Sequence, residues 1–529
     1  MSVPFLLKTQ GWSGRFIGLF LGALAVLGHA PFHFWPITIL SLAILFGRLQ
    51  WAAEDNRPGR CGFSTALWWA MGYFAAGTFW VGSAFIERGP EFIPIMPFMV
   101  AGLAVLLSFF WGLAGAYFAR AKLSGVFAII GFTAVFTLAE LTRGHVLGGF
   151  PWNLPAYIFE AGSRPSQIAR WIGAYGLSCL VLLISSALGQ ALFWRERLWP
   201  IVMTILPVLG LYGIGHMRLS EASLSYQPDI SMRVVSVPFK QSDMMEINSS
   251  VAITNDFIIA SIQPGIKDVT HLVWPEGAVR GFTGPAMDNP DLLNAVGSLL
   301  ANEDETPPVW LMNSLQTEME RGRLRYYNAS VAITFNADGV PAVAASNRKR
   351  KLVAFGEHIP FMDWFEDVQF PLISTNLASI SPVKEKRLAD FPGLPRLSPQ
   401  LCYEVVFPGL TPDGEGQPAE FILNQSNDAW FGKSAGPAQH ANAARYRSIE
   451  TGLPIIRAAS NGMSGQIDPY GRIHGEVVDR KMQYKDIKLL KPLKFNGNIK
   501  LLDFWLLLIT VLACVIVSFI RIRSVGLRA

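Results

Sequence analysis

Three stretches of this chain bring together residue types that could do acyl chemistry. The first is Leu397–Gly409, LSPQLCYEVVFPG, where a polar, Pro-containing run reaches Cys402 and then turns sharply through Val405, Val406, Phe407 and Pro408-Gly409. This reads as a strand that displays a thiol at its end. Such a thiol can be a nucleophile if a neighbour draws off its proton, although many free cysteines are simply small buried hydrophobes. The second, His271–Val279 (HLVWPEGAV), delivers Glu276 just after a buried-looking strand and Pro275. The third, Asn347–Pro360 (NRKRKLVAFGEHIP), sets the four cations Arg348 to Lys351 ahead of Glu357. A carboxylate, an ammonium and a thiol on one site would supply a general base, an oxyanion stabiliser and a nucleophile. Taken singly, Glu276 also reads as a solvated turn residue and the cation run as a solvated face.

These stretches must be held by a folded α/β region. Between Met232 and about Pro492, strand-like runs (Met232–Val237, His271–Trp274, Val309–Met312, Val331–Phe335, Phe421–Leu423, Ile455–Ala458) alternate with helical candidates at Ser249–Ile262, Asp291–Asn302 and Ala438–Thr451. That length suits one domain. The four cysteines (Cys61, Cys179, Cys402, Cys514) form no CxxC pair or His/Cys cluster, so neither a metal site nor a disulfide framework is expected.

The rest of the chain reads as membrane. Of 529 residues, 51% are hydrophobic and only 16% charged, with 16 Trp and 36 Phe, against about 25% charge in soluble domains. Seven apolar spans precede the polar region, at Ile17–Ala30, Trp35–Phe46, Ala66–Ile86, Pro94–Ala119, Val126–Leu141, Ile168–Phe193 and Trp199–Gly215, and Leu501–Ile520 makes an eighth. The first two are short and suggest a tucked hairpin. The N-terminus lacks an A-x-A cleavage pattern and is expected to stay as a span. Lys8, Arg15, Arg48, Arg57, Arg60, Arg120, Lys122, Arg195, Arg197, Arg521, Arg523 and Arg528 fall on one side, and little beyond Arg88, Arg143 and Arg164 on the other. The positive-inside rule then puts both termini in the cytosol and the polar region outside it. The net charge of +5 follows this topology and forms no nucleic-acid stripe. An unpaired Cys402 outside the cytosol risks oxidation, which suggests a use for it. The same outer side holds Arg143–Pro165, whose Phe150, Trp152 and Tyr157 read either as a headgroup-level aromatic belt or as a lid guiding acyl chains.

The order WPE, K-x-x-L-V-x-F-G-E and CYE resembles the nitrilase (carbon-nitrogen hydrolase) superfamily. Joined to eight spans it is similar to that superfamily's membrane-embedded branch, the apolipoprotein N-acyltransferase family. APFHFWP, GGFPWN, SNDAWFG and QHANAARYRSIETGLPIIRAASNG extend the resemblance over nearly the whole chain. It implies a helical bundle of about eight transmembrane helices (residues 1–220, with 496–529 as the last span and tail) and a nitrilase-like αββα sandwich (221–495). It implies Glu276 as base, Lys349 by its spacing from Leu352-Val353, and Cys402 as nucleophile. Glu357, Tyr403, Glu404, Trp430, Phe150 and Trp152 would support the site or bind substrate. The implied reaction is N-acylation of a diacylglyceryl-cysteine lipoprotein with an acyl chain from a phospholipid, phosphatidylethanolamine, by a monomer in the bacterial inner membrane, without metal, cofactor or nucleic acid. A membrane-bound amidase and a plasmid-transfer paralogue are the alternatives. The chain departs from the family pattern at Ala354, usually Pro, and in VVSVPFKQSDMME, which lacks the usual Trp.

Overall fold

The computed structural model describes residues 5–194, 198–279, 294, 296–299, 307–320, 323–336, 338–353, 357, 380–383, 388–411, 418–477, 482–493 and 499–526. The expected helix at Asp291–Asn302 and the departure at Ala354 lie largely or wholly outside them. Contacts divide the chain into two units, Met1–Ala222 with Lys433–Glu450 and Gly497–Ala529, and Ser223–Gly432 with Thr451–Asn496.

The first unit is helical. The expected spans fall on Gly11–Ala25, Trp35–Ala52, Pro58–Gly77, Met96–Ala121, Gly125–His145, Ala169–Phe193, Leu198–Ser220 and Ile499–Gly526. Among the described residues, six helical segments are long and apolar enough to cross a membrane. The second span is not short: its helix runs on through Gly47 and Arg48 to Ala52. Arg48 is tolerated there because its guanidinium is buried against the carbonyls of Thr9 and Gly14, at 3.1 and 2.9 Å. The third is displaced from Ala66–Ile86: the helix ends at Gly77 and a separate short one covers Val81–Arg88. Small residues let backbones touch, as lipid-embedded helices require. A Cβ on Gly22 would stand 1.8 Å from the Trp69 carbonyl oxygen, and one on Gly72 1.9 Å from that of Leu19.

Two buried ion pairs lie in this unit among the described residues, Arg447–Glu450 and Arg143–Glu140. Arg143 and Glu140 are each 1% exposed and joined through Nε and Nη2, and Trp111 Nε1 donates to the same carboxylate at 2.7 Å. Arg143 Nη1 donates onward to the carbonyls of Phe150 and Trp152. The loop that follows Arg143 is therefore tied to this pair. Trp152 and Tyr157 are 3% and 4% exposed, so neither sits in an aromatic belt facing lipid headgroups. The helix Gly436–Thr451, drawn from the polar region of the sequence, closes the loop from the other side: Tyr446 Oη donates to the carbonyls of Ala156 and Phe159 at 2.9 Å each, and Asn442 Oδ1 accepts from Ala161 N at 2.9 Å.

The second unit is built from β1 (Tyr226–Ser236), β2 (His271–Val273), β3 (Val309–Glu320), β4 (Arg323–Phe335), β5 (Pro341–Arg348), β6 (Leu397–Leu401), β7 (Phe421–Asn427), β8 (Ile455–Ser460), β9 (Ser464–Ile467), β10 (Ile473–Val477) and β11 (Gln483–Leu490). A six-stranded sheet has the order β11-β1-β2-β3-β4-β5, and a five-stranded one the order β10-β9-β8-β7-β6. Met232, Val234, Val273, Leu311 and Ala332 of the first sheet share one apolar core with Leu397, Phe421, Leu423, Ile456 and Ala458 of the second. The other face of the six-stranded sheet is covered by the helix Ile247–Ser261, whose Phe257 ring lies 5.2 Å from that of Trp274. This is the sheet-on-sheet part of the expected sandwich, with one helical layer inside the unit. Strands β1, β2 and β3 run parallel to one another, as do β6, β7 and β8. The carboxyl ends of parallel strands are where such sheets offer their functional groups.

Candidate active site

In each of the three chemical stretches the candidate residue comes just after a strand stops. Glu276 stands three residues past β2, Lys349 directly after β5 and Cys402 directly after β6. Pro275 cannot continue the ladder, and Gly277 turns the chain at φ +77°. A Cβ at Gly277 would come within 2.6 Å of Asn427 Nδ2, so this turn needs glycine for both conformation and room.

Lys349, 2% exposed, joins the carboxylates: its Nζ is 2.8 Å from Glu357 Oε1 and 3.5 Å from Glu276 Oε1. Asn328 on β4 holds the same two oxygens, donating from Nδ2 at 2.8 Å to Glu276 and 3.3 Å to Glu357. Its carbonyl accepts from the Lys349 backbone N–H at 2.7 Å. Burial works against the Lys349 charge, but Glu276, Glu357 and Cys402 together outweigh it and hold the lysine above its ordinary value. Lys351, two residues on, faces elsewhere and sits 5.2 Å over the Phe407 ring.

Cys402 opens a 3-10 turn, Cys402–Val406, with its own φ at +46°. A non-glycine residue in that region is strained, and such strain gathers where a side chain must be presented. Glu404 supplies the restraint. One carboxylate oxygen accepts from the Leu401 N–H at 2.9 Å, and the other from the N–H groups of Arg350 and Lys351 at 2.8 and 3.1 Å. The thiol turn and the lysine segment are thus fastened to one buried carboxylate. Tyr403 packs edge-on against Phe407, at 5.0 Å between ring centroids.

Burial and then the Glu276 charge push the Cys402 thiol up, against the pull of Lys349. At rest the site holds a neutral thiol and an ammonium beside Glu276. A carboxylate, a fixed ammonium and a half-buried thiol whose charges act on one another are groups that can support nucleophilic attack on a carbonyl and stabilise the oxyanion that forms.

Of the other expected residues, Trp430 is half-buried on the 3-10 turn Asp428–Phe431 that follows β7. Phe150 and Trp152 belong to the first unit. There the Trp152 ring lies 4.5 Å from Trp80 and 5.6 Å from His440, and its Nε1 donates to Gln439 Oε1 at 2.7 Å. Asn328 was not foreseen. Its only signal in the sequence, an Asn within YYNAS, is too common to single out.

Residues 21–187 match the apolipoprotein N-acyltransferase N-terminal domain and residues 269–485 the carbon-nitrogen hydrolase domain. A curated apolipoprotein N-acyltransferase of Caulobacter vibrioides is 35% identical over 479 residues, 88% of this chain and 86% of that protein. Its counterpart from Allorhizobium ampelinum is 30% identical over 540 aligned positions, 98% of each chain. A crystal structure of XC1258 from Xanthomonas campestris, a CN-hydrolase superfamily protein, is 16% identical and covers 49% of this chain and 90% of its own, with a TM-score of 0.34. With both domain matches in one chain and relatives of this identity along most of its length, the protein belongs to the apolipoprotein N-acyltransferase family of membrane enzymes.

Proposed function

We propose that this chain transfers an acyl group from a phospholipid to the N-terminal amine of a diacylglyceryl-cysteine lipoprotein, through a thioester on Cys402. The observation that carries this reading is the meeting of Glu276, Lys349 and the Cys402 turn at three strand ends in a chain of this family. Glu276 takes the thiol proton as Sγ attacks the sn-1 ester carbonyl. Lys349 faces the oxyanion, and Glu276 returns the proton as the ester C–O bond breaks and lysophospholipid departs. The lipoprotein amine then attacks the thioester, its proton passes to Glu276, and the C–S bond breaks to restore the thiol. Glu357 keeps Lys349 in place, Glu404 and Tyr403 keep the turn, and Trp430, Phe150 and Trp152 contact acyl chains. The donor is phosphatidylethanolamine and the working unit a monomer. The enzyme sits in the inner membrane with residues 221–495 in the periplasm between the spans of 1–220 and 496–529, and with both termini in the cytosol. Two substrates anchored in one leaflet give a reason to join a hydrolase-like domain to a membrane bundle. Exclusion of water near Cys402 favours the amine as acceptor.

The test is the covalent intermediate. Incubated with phospholipid and no acceptor, the protein should gain the mass of one sn-1 acyl chain on Cys402, labile to neutral hydroxylamine. A diacylglyceryl peptide with a free N-terminus should discharge it, and the N-acetylated peptide should not. Discharge to water at one rate with or without peptide would make the chain a hydrolase, and no loading at all would remove Cys402 from the reaction.

A further inference from the structure

Behind Cys402 lies a second polar cluster that the reaction as described leaves unused. Ser426, the sixth residue of β7, is hydrogen-bonded through its side chain to Cys402. Its hydroxyl proton lies elsewhere: Ser426 Oγ donates to Asp428 Oδ1 at 2.6 Å. The other Asp428 oxygen, Oδ2, receives Arg457 Nη2 from β8 at 2.7 Å, and both side chains are 0% exposed. Arg457 is fixed in turn by Asn424 Oδ1 and, through Nε, by the Met463 carbonyl at 3.0 Å. Room for the carboxylate exists because residue 462 is glycine: a Cβ there would stand 2.2 Å from Asp428 Oδ2.

A hydroxyl whose proton is committed to a carboxylate turns a lone pair to its other neighbour. In the resting site it therefore accepts from the thiol. Once Glu276 has taken the sulfur's proton, a lone pair facing a thiolate is repulsive, and the same hydroxyl can rotate to donate to the sulfur. Asp428 can release it without being stranded, because Arg457 remains as its partner. An ion pair sealed in the core with a hydroxyl between it and a nucleophile is an arrangement that packing alone does not call for, since buried ion pairs contribute little net stability.

We propose that Ser426 is a positioning residue that orients the Cys402 sulfur and changes from acceptor to donor when the thiol loses its proton, with the Asp428–Arg457 pair holding it ready for both. The inference rests on Cys402 being the nucleophile. The charged groups facing Cys402 are Glu276, Lys349 and Asp428; Glu357 stands behind Lys349, Arg457 behind Asp428, and Glu404 is turned to backbone N–H groups.

The readout is the rate of iodoacetamide labelling at Cys402, located by peptide mass and followed from about pH 7 upward as far as the fold holds, because burial and Glu276 push the thiol up. Labelling follows the thiolate. Ser426→Ala removes the only hydroxyl proton proposed to turn to the sulfur, so the midpoint should rise by about one unit, a tenfold slower labelling at neutral pH, and Ser426→Thr should restore it. Asp428→Asn removes a negative charge that disfavours the thiolate, so its midpoint should fall. Residues that merely fill space would not move the two midpoints in opposite directions. An unmoved midpoint in a folded Ser426→Ala protein, or shifts of the same sign in both, overturns the inference. If Asp428→Asn does not fold by thermal melt, the Ala and Thr variants at Ser426 decide alone. Absence of Cys402 labelling in the unaltered protein at every pH would remove the nucleophile reading, and this inference with it. Normal labelling there with a static Ser426→Ala midpoint removes this inference only.

Discussion

Lys349 and Lys351 lie one residue apart in the sequence and in quite different surroundings. The first is buried between two carboxylates, and the second rests over Phe407. Lys349→Ala should lower acyl loading of Cys402 by about 10²–10³-fold, the usual loss on removing one oxyanion-stabilising group, while Lys351→Ala keeps most of it. Equal losses in two folded proteins, measured by intermediate mass, would mean that the register selecting Lys349 is wrong. At this scale the sequence was legible where a motif names a residue: Glu276, Lys349, Glu357, Cys402 and Glu404 are marked by local order. Asn328 and Ser426 were not, because neighbours on other strands decide their roles. Asn328 acts on carboxylates 52 and 29 residues away, and Ser426 meets Cys402 across paired strands. SNDAWFG stood out as a stretch, yet nothing local says that its serine touches the thiol.

Elements were legible in proportion to their apolar content. The apolar runs that became the long helices and the Val- and Ile-rich strands announced themselves. β5, PAVAASNR, did not, although it delivers Lys349: it is small-residue, edge-placed and nowhere fully buried. The short β9 and β10 and the charged β11 were missed for a similar reason, since their pairing is long-range and their side chains carry little β signal. Glu140 could be seen in the sequence as an isolated charge in a span, but its function as the partner of Arg143 required the helix. Glu140→Ala leaves that guanidinium buried and unpaired and should cost about 3–5 kcal/mol. The double change Glu140→Leu with Arg143→Leu should cost less, because no charge is stranded. Thermal melts in detergent compare the two, and a double variant less stable than the single one would show that the ties from Arg143 to Phe150 and Trp152 outweigh the pair.

For the whole molecule, the loop charges predict that a reporter fused after Gly215 reads as periplasmic and one after Arg528 as cytosolic; a cytosolic signal at the first would reverse the orientation and the compartment of Cys402. A further consequence follows from the helix Gly436–Thr451. The polypeptide leaves the sheet unit after Gly432, contributes this helix to the bundle unit, and returns at Thr451 to lay down β8. β8 is an inner strand of its sheet and the source of Arg457. The helix's partners, Ala156, Phe159 and Ala161, are synthesised nearly three hundred residues earlier. The helix and the strand that follows it in sequence therefore belong to different units. Residues 223–496 cut free of the bundle would keep the Arg447–Glu450 pair but lose the acceptors of Tyr446 at Ala156 and Phe159, the Tyr157 hydroxyl that receives Arg447, and the Ala174 N–H that Glu450 accepts.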